Sequence, residues 1–75
     1  MDVARVVEPL AEQGVTVMFK VDAERMRDAT KPWTFVASGA PFRDDLLVRA
    51  DTDSLEAGLE ICVPRLRELG LVIPD

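Results

Sequence analysis

Three segments with the residue pattern of β-strands follow one another in the middle of the chain, and an amphipathic helical segment lies on either side of them. Parallel strands need a long crossover, usually a helix, between them. Because no such crossover separates these strands, the sheet must be antiparallel. We therefore predict an α+β fold, a small two-layer sandwich in the order α-β-β-β-α, with about three strands and two helices packed on one face.

The size of the chain limits how this fold can be stabilised. Its 75 residues have room for one domain, 1–75. A domain of this length hides only about 60% of the surface that its unfolded chain exposes. A single cysteine cannot form an internal disulfide, and cysteine pairs at metal-ligand spacing are absent. The apolar residues, 48% of the chain, must therefore supply the stability.

The two end segments have the signals of helix boundaries. In the first, Asp2 is a candidate N-cap, apolar residues recur at helical spacing, and Gly14 ends the pattern. In the last, Asp53 and Glu56 have capping-box spacing and Gly70 is the end signal. Between them runs an apolar stripe of Leu55, Leu59, Cys62, Leu66 and Leu69. Pro9 and Pro64 interrupt the two patterns, and each predicts a bend or break.

Alternating or β-branched residues predict strands at 15–22, 33–38 and 46–50. The polar stretch 22–32 is predicted to be a connector with one helical turn, and the turn formers after 38 suit a hairpin. The expected core joins one sheet face to both helices through Val17, Phe19, Phe35, Val48, Leu55, Leu59, Leu66 and Val6. The other face, with Met18, Trp33 or its neighbours, and Arg49, would be open for binding.

The charges are distributed unevenly along the chain. Acidic and basic residues balance over 1–43, so the net charge of −5 arises entirely in 44–75. This acidity argues against nucleic acid as a partner, because phosphate binding relies on clustered Lys and Arg. An acidic surface keeps a small protein soluble and would also suit a basic protein partner.

The sequence gives no sign of export or membrane insertion. Its longest apolar run, 70–74, is much shorter than the roughly 20 residues of a membrane helix. Asp2 lies where a signal peptide would have basic residues. Together with the unpaired cysteine, this predicts a cytoplasmic protein that does not contact a membrane.

The candidate catalytic residues fit other roles better. No histidine is present to activate a nucleophile. Cys62 lies on the apolar stripe, where a thiol behaves as a small buried hydrophobe. Ser38 lacks the preceding glycine of a nucleophile elbow, and the residues after Asp51 do not follow a calcium loop. We therefore predict no enzymatic activity, no metal site and no cofactor.

A local likeness gives an alternative function. Asp53, Ser54 and Leu55 open an amphipathic helix, and 73–75 reads Ile-Pro-Asp. These motifs, with the opening helix that ends at Gly14, resemble the acyl carrier protein family. The resemblance implies an all-helical domain in which Ser54 carries phosphopantetheine and Glu56 and Glu60 face basic partner enzymes. Helix capping gives Asp53 and Ser54 a second interpretation.

By elimination, the sequence predicts a protein-interaction domain acting as an accessory, adaptor or inhibitor-like factor. Exposed aromatic and Met side chains near Arg are typical of recognition surfaces. The candidate contact residues are Trp33, Phe42, Met18 and Arg49, with the acids Asp44, Asp45, Glu56 and Glu60. Trp33 can equally fill the core at the start of a strand. A homodimer is a further expectation, through an edge strand or through the apolar stripe of the last helix.

Overall fold

Antiparallel pairing of three strands forms the centre of the fold, as the sequence predicts. The structure is a computed structural model that describes residues 2–42 and 47–74. In chain order the elements are α1 (Val3–Glu12), β1 (Val15–Val21), α2 (Ala23–Asp28), β2 (Trp33–Gly39), β3 (Val48–Thr52) and α3 (Leu55–Glu68). The α+β class is confirmed, and α2 is the helical turn expected in the polar connector.

The pairing register decides which side chains share a face of the sheet. Phe19 lies opposite Phe35, which lies opposite Ala50, and Val17, Ala37 and Val48 form the neighbouring row. Because residues directly opposite each other point to the same side, these two rows belong to one face. That face is the buried one: Phe35, Ala37 and Val48 are all at most 6% exposed. The helices α1 and α3 pack against it.

The core is formed where α1 and α3 meet this face. α1 contributes Val6 and Leu10, which recur at helical spacing. α3 contributes Leu59, Cys62, Val63 and Leu66. Phe19 and Phe35 meet edge to face with their ring centroids 5.2 Å apart, a favoured geometry for aromatic pairs. Most of the predicted core is therefore confirmed.

Neither helix breaks at its proline, so that outcome of the prediction is wrong. α1 is continuous through Pro9, and α3 is continuous through Pro64. A proline inside a helix costs one hydrogen bond, and here the apolar faces of both helices remain packed on the sheet around it. Tertiary packing thus outweighs the local preference.

Two further details differ from the sequence-based expectation, and one open alternative is decided. β3 begins at Val48, later than predicted, and Leu47 before it is 46% exposed. Leu69 of the apolar stripe is 48% exposed, because α3 ends at Glu68. Of the two placements that the sequence left open for Trp33, the structure shows the helix side of the sheet, since Trp33 shares a face with Phe35, two residues along β2, and its neighbour Thr34 lies on the other face.

The segment after α3 folds back onto the core. Leu71 and Ile73 are buried. The side-chain amide of Gln13 donates to the Val72 carbonyl at 2.8 Å and accepts from the Val72 N–H at 2.9 Å. Arg67 Nη2 also donates to the Ile73 carbonyl at 2.9 Å. These bonds fasten the segment to the end of α1 and to α3.

Candidate interaction surface

The second face of the sheet carries side chains from all three strands in rows. Lys20, Thr34 and Asp51 lie opposite one another in one row, and Met18, Val36 and Arg49 form the next. Thr16 and Ser38 complete the face. We call these eight residues the open face, because neither α1 nor α3 packs against them. On the edge strand β1, Met18 is 61% exposed.

The open face combines an apolar centre with positive charge. Met18 and Val36 are side by side, Arg49 lies opposite Val36 on β3, and Lys20 lies two residues from Met18 on β1. The Arg49 side chain is 57% exposed, and Lys20 is exposed. A cleft of about 460 Å³ is lined by Met18, Phe19, Lys20, Thr34, Val36 and Arg49. Such a surface can contact another molecule through apolar packing and charge together.

One end of the open face is covered by Arg25, which reaches across from α2. Its guanidinium donates to Thr34 Oγ1 at 3.0 Å and to Asp51 Oδ1 at 3.2 Å. Thr34 Oγ1 in turn donates to Asp51 Oδ1 at 2.6 Å. No residue of α2 is buried. Arg25 is thus the side chain that joins α2 to β2 and β3.

These contacts change the acidity of Asp51. The Thr34 hydroxyl, then the Arg25 guanidinium and more weakly Arg49, lower the pKa of the Asp51 carboxyl to about 2 from 3.8, against the opposing effect of desolvation. Each of these groups stabilises the ionised carboxylate. Asp51 therefore stays charged over the whole range in which the protein is expected to work.

The lowered pKa of Asp51 predicts a loss of stability in acid. A carboxyl whose pKa is lower in the folded state contributes stability above its unfolded pKa, and here that contribution is lost as the pH falls from about 4 to about 2. Asp51→Asn should therefore lower the urea midpoint at pH 6 and lose less stability than the wild type between pH 4 and pH 2. Asp53→Asn is the control, since Asp53 is exposed and makes no hydrogen bond with a described residue. Parallel pH profiles for Asp51→Asn and the wild type would contradict the prediction.

The structure separates the candidate contact residues that the sequence singled out. Met18 and Arg49 lie on the open face. Glu56 and Glu60 are exposed on α3, which packs on the opposite face of the sheet. Trp33 is half-buried on that same helix side. These residues therefore do not form one surface.

Phe42, Asp44 and Asp45 were also expected to contact a partner. Phe42 is 6% exposed and belongs to the core, so the expectation that it is available to a partner is wrong. Its N–H donates to the Gly39 carbonyl at 3.0 Å, and this turn directs the ring inward. Asp44 and Asp45 lie outside the described residues.

Ser54 and Cys62 have structural roles. Ser54 is the N-cap of α3, where Asp53 was expected, and its Oγ accepts from the Ala57 N–H at 3.1 Å. The all-helical fold that the carrier-protein resemblance implies is wrong, because the middle of the chain is a sheet. Cys62 is buried as predicted, and burial raises the pKa of its thiol, which disfavours a reactive thiolate.

A second concavity, of about 520 Å³, lies between α1, α3 and the segment after α3. It is lined by Asp2, Arg5, Val6, Val63, Arg67, Ile73 and Pro74. Asp2 and Pro74 are next in sequence to the undescribed termini. Arg67 is engaged with the Ile73 carbonyl. The open face is the better-defined candidate.

Over 2–42 and 47–74, no group of three or more Cys, Asp and Glu side chains is arranged to hold a metal ion. In the same ranges no helix has both the length and the apolar character needed to cross a bilayer. The comparisons with protein-family models, with curated proteins and with solved structures each found no match. The function must therefore be argued from the open face itself.

Proposed function

We propose that the protein is a non-enzymatic interaction domain, an accessory, adaptor or inhibitor-like factor that binds another protein through the open face. The observation that carries this proposal is the 61% exposure of Met18, on a sheet face that neither α1 nor α3 covers. Most antiparallel sheets with one solvated face present polar side chains there. Met and Arg are enriched at protein contacts, and Met18, Val36 and Arg49 are neighbours on this face.

We propose two further contacts, one on α3 and one on β1. The basic partner suggested by the net charge of −5 would meet Glu56 and Glu60 on α3, a different side of the molecule. Self-association would use β1, an edge strand of the sheet. In a two-fold antiparallel pairing centred on Met18, Lys20 would lie opposite Thr16, so like charges would not meet.

A cytoplasmic location suits the single, buried, free thiol of Cys62.

Photo-crosslinking tests whether the open face is the contact surface. Met18 would be replaced by benzoylphenylalanine in cells that make the protein, and the same replacement of the exposed Glu8 on α1 would serve as the control. We expect an ultraviolet-dependent adduct with a second protein from position 18 and none from position 8. Mass spectrometry of the adduct then identifies the partner.

With the purified partner, Met18→Asp should weaken binding at least about tenfold, because it places a charge in the apolar part of the contact. Its urea midpoint should stay near that of the wild type, since Met18 is 61% exposed in the free protein. An adduct from position 8 alone, or unchanged affinity for Met18→Asp, would refute the open face as the interaction surface.

A further inference from the structure

We infer that the partner segment that covers the open face is acidic, with an apolar residue between two carboxylates; this inference rests on the proposed function of that face. The chain as a whole has a net charge of −5, yet its open face has an excess of positive charge. Lys20 and Arg49 belong to it, Arg25 reaches onto it, and Asp51 is its one acid. Charge is therefore segregated between the two sides of the molecule.

The acid on this face is already neutralised. Asp51 Oδ1 accepts from both Thr34 and Arg25, and Asp51 Oδ2 lies 3.5 Å from Arg49 Nε. A partner therefore meets little negative charge there.

The two flanking cations retain the capacity to bind a carboxylate. The Lys20 side chain makes no hydrogen bond or ion pair with a described residue, although Asp22, the N-cap of α2, lies near enough for the charge of Lys20 to lower its pKa. Arg49 contacts Asp51 through Nε and makes no other ion pair with a described residue. A guanidinium can bind a second carboxylate through its terminal amino groups.

The spacing of these cations specifies the ligand further. Lys20 is on β1 and Arg49 is on β3, two strands away and offset by two residues along the strand direction. With standard sheet dimensions, their Cα atoms are about 12 Å apart. In an extended peptide, residues four apart point to the same side and are about 13 Å apart. The residue midway between them also points to that side and lies above β2 between Thr34 and Val36, where Val36 is its apolar contact. An extended acid-x-apolar-x-acid segment thus fits the face.

An acidic peptide fits this face better than a nucleic acid does. A polyanion would be repelled by the remaining surface of a chain with net charge −5. The open face also has no aromatic side chain on which a base could stack.

Fluorescence anisotropy with defined probes tests the inference on the full chain. The first probe is a labelled peptide containing Glu-Ser-Leu-Ser-Glu, the second has Lys in place of both Glu residues, and the third is a single-stranded RNA oligonucleotide. We expect saturable binding of the acidic peptide that weakens as salt is added, and little binding of the other two. Tighter binding of the basic peptide or of the RNA would overturn the inference.

Charge reversals connect the binding to the two cations. Lys20→Glu and Arg49→Glu should each weaken the acidic peptide about fivefold, because an exposed attraction is replaced by a repulsion. Arg5→Glu changes the net charge equally from α1, on the other side of the molecule, and should change the affinity less than twofold. Lys20 makes no ion pair within the described ranges, so Lys20→Glu remains informative even if Arg49→Glu folds poorly. Unchanged affinity in Lys20→Glu would contradict the inference.

The remaining outcomes separate this inference from the proposed function. One outcome is that the position-18 crosslink persists in Lys20→Glu and Arg49→Glu and the wild type does not bind the acidic peptide. The open face is then an interaction surface, but its partner is not acidic. If the protein without charge reversals gives no crosslink from position 18 and does not bind the acidic peptide, both the inference and the proposed function are refuted. If sedimentation shows a dimer that excludes the peptide, the occupant is a second copy and the inference is wrong.

Discussion

Leu59→Ala is expected to leave the protein largely unfolded at 25 °C. Leu59 is fully buried in α3 and faces the sheet. Truncating such a leucine costs about 2–5 kcal/mol, from lost burial and from the cavity left behind. The core of a domain of this length supplies only about 3–5 kcal/mol, and no disulfide adds to it. The variant should show a low-midpoint urea transition by far-ultraviolet circular dichroism, or none.

Ile61→Ala is the matched control on the same helix. Ile61 is 42% exposed, and alanine favours helix formation, so its free energy of unfolding should change by less than about 1 kcal/mol. A wild-type midpoint for Leu59→Ala, or equal losses for the two variants, would contradict the assignment of Leu59 to the centre of the core.

The strand order and the layer arrangement were predictable because they depend on patterns of short range. Alternation along β1 assigns Val17 and Phe19 to one face, and helical spacing in α3 assigns Leu59 and Leu66 to another. Three consecutive strands then leave only an antiparallel sheet. These conclusions needed no knowledge of contacts between distant residues.

The errors arose where tertiary packing decides between local alternatives. Pro9 and Pro64 do not end their helices, because both helices are packed on the sheet. Phe42 is indistinguishable from an exposed loop residue in the sequence, and only the turn after β2 brings it to the core. Leu69 fits the helical spacing, but α3 ends one residue earlier.

The open face was predictable in part. Once Met18 is assigned to it, the period of a strand also assigns Lys20, whereas Val36 joins them only through the register of β1 against β2, which the connector containing α2 leaves open. The contact between Arg25 and Asp51 was not predictable, because 26 residues separate them and no periodicity relates a short helix to the third strand. Charge counting along the chain also missed the excess of positive charge on this face, since cations from separate strands are gathered there only by the fold.

Gly39→Ala is the second substitution with a large expected effect. Gly39 ends β2 opposite Val15 and has a φ of +142°, a conformation that residues with a side chain rarely adopt. A Cβ added there would lie 2.4 Å from the Gly14 carbonyl oxygen and 3.2 Å from the Val15 Cα. Both atoms belong to the backbone, so neither can rotate away. We expect a loss of about 3 kcal/mol or more in the free energy of unfolding, measured by urea titration.

Gly70→Ala separates the steric clash from the backbone strain. Gly70 also has a positive φ, +94°, but no atom of the described residues lies within 4 Å of an added Cβ. It should therefore lose only the conformational cost of about 1 kcal/mol. The difference between the two losses in the free energy of unfolding then gives the cost of the steric clash at Gly39, where β2 closely approaches Gly14. Equal losses would mean that β2 does not approach Gly14 as closely as the structure indicates, and the register of β1 against β2 would need revision.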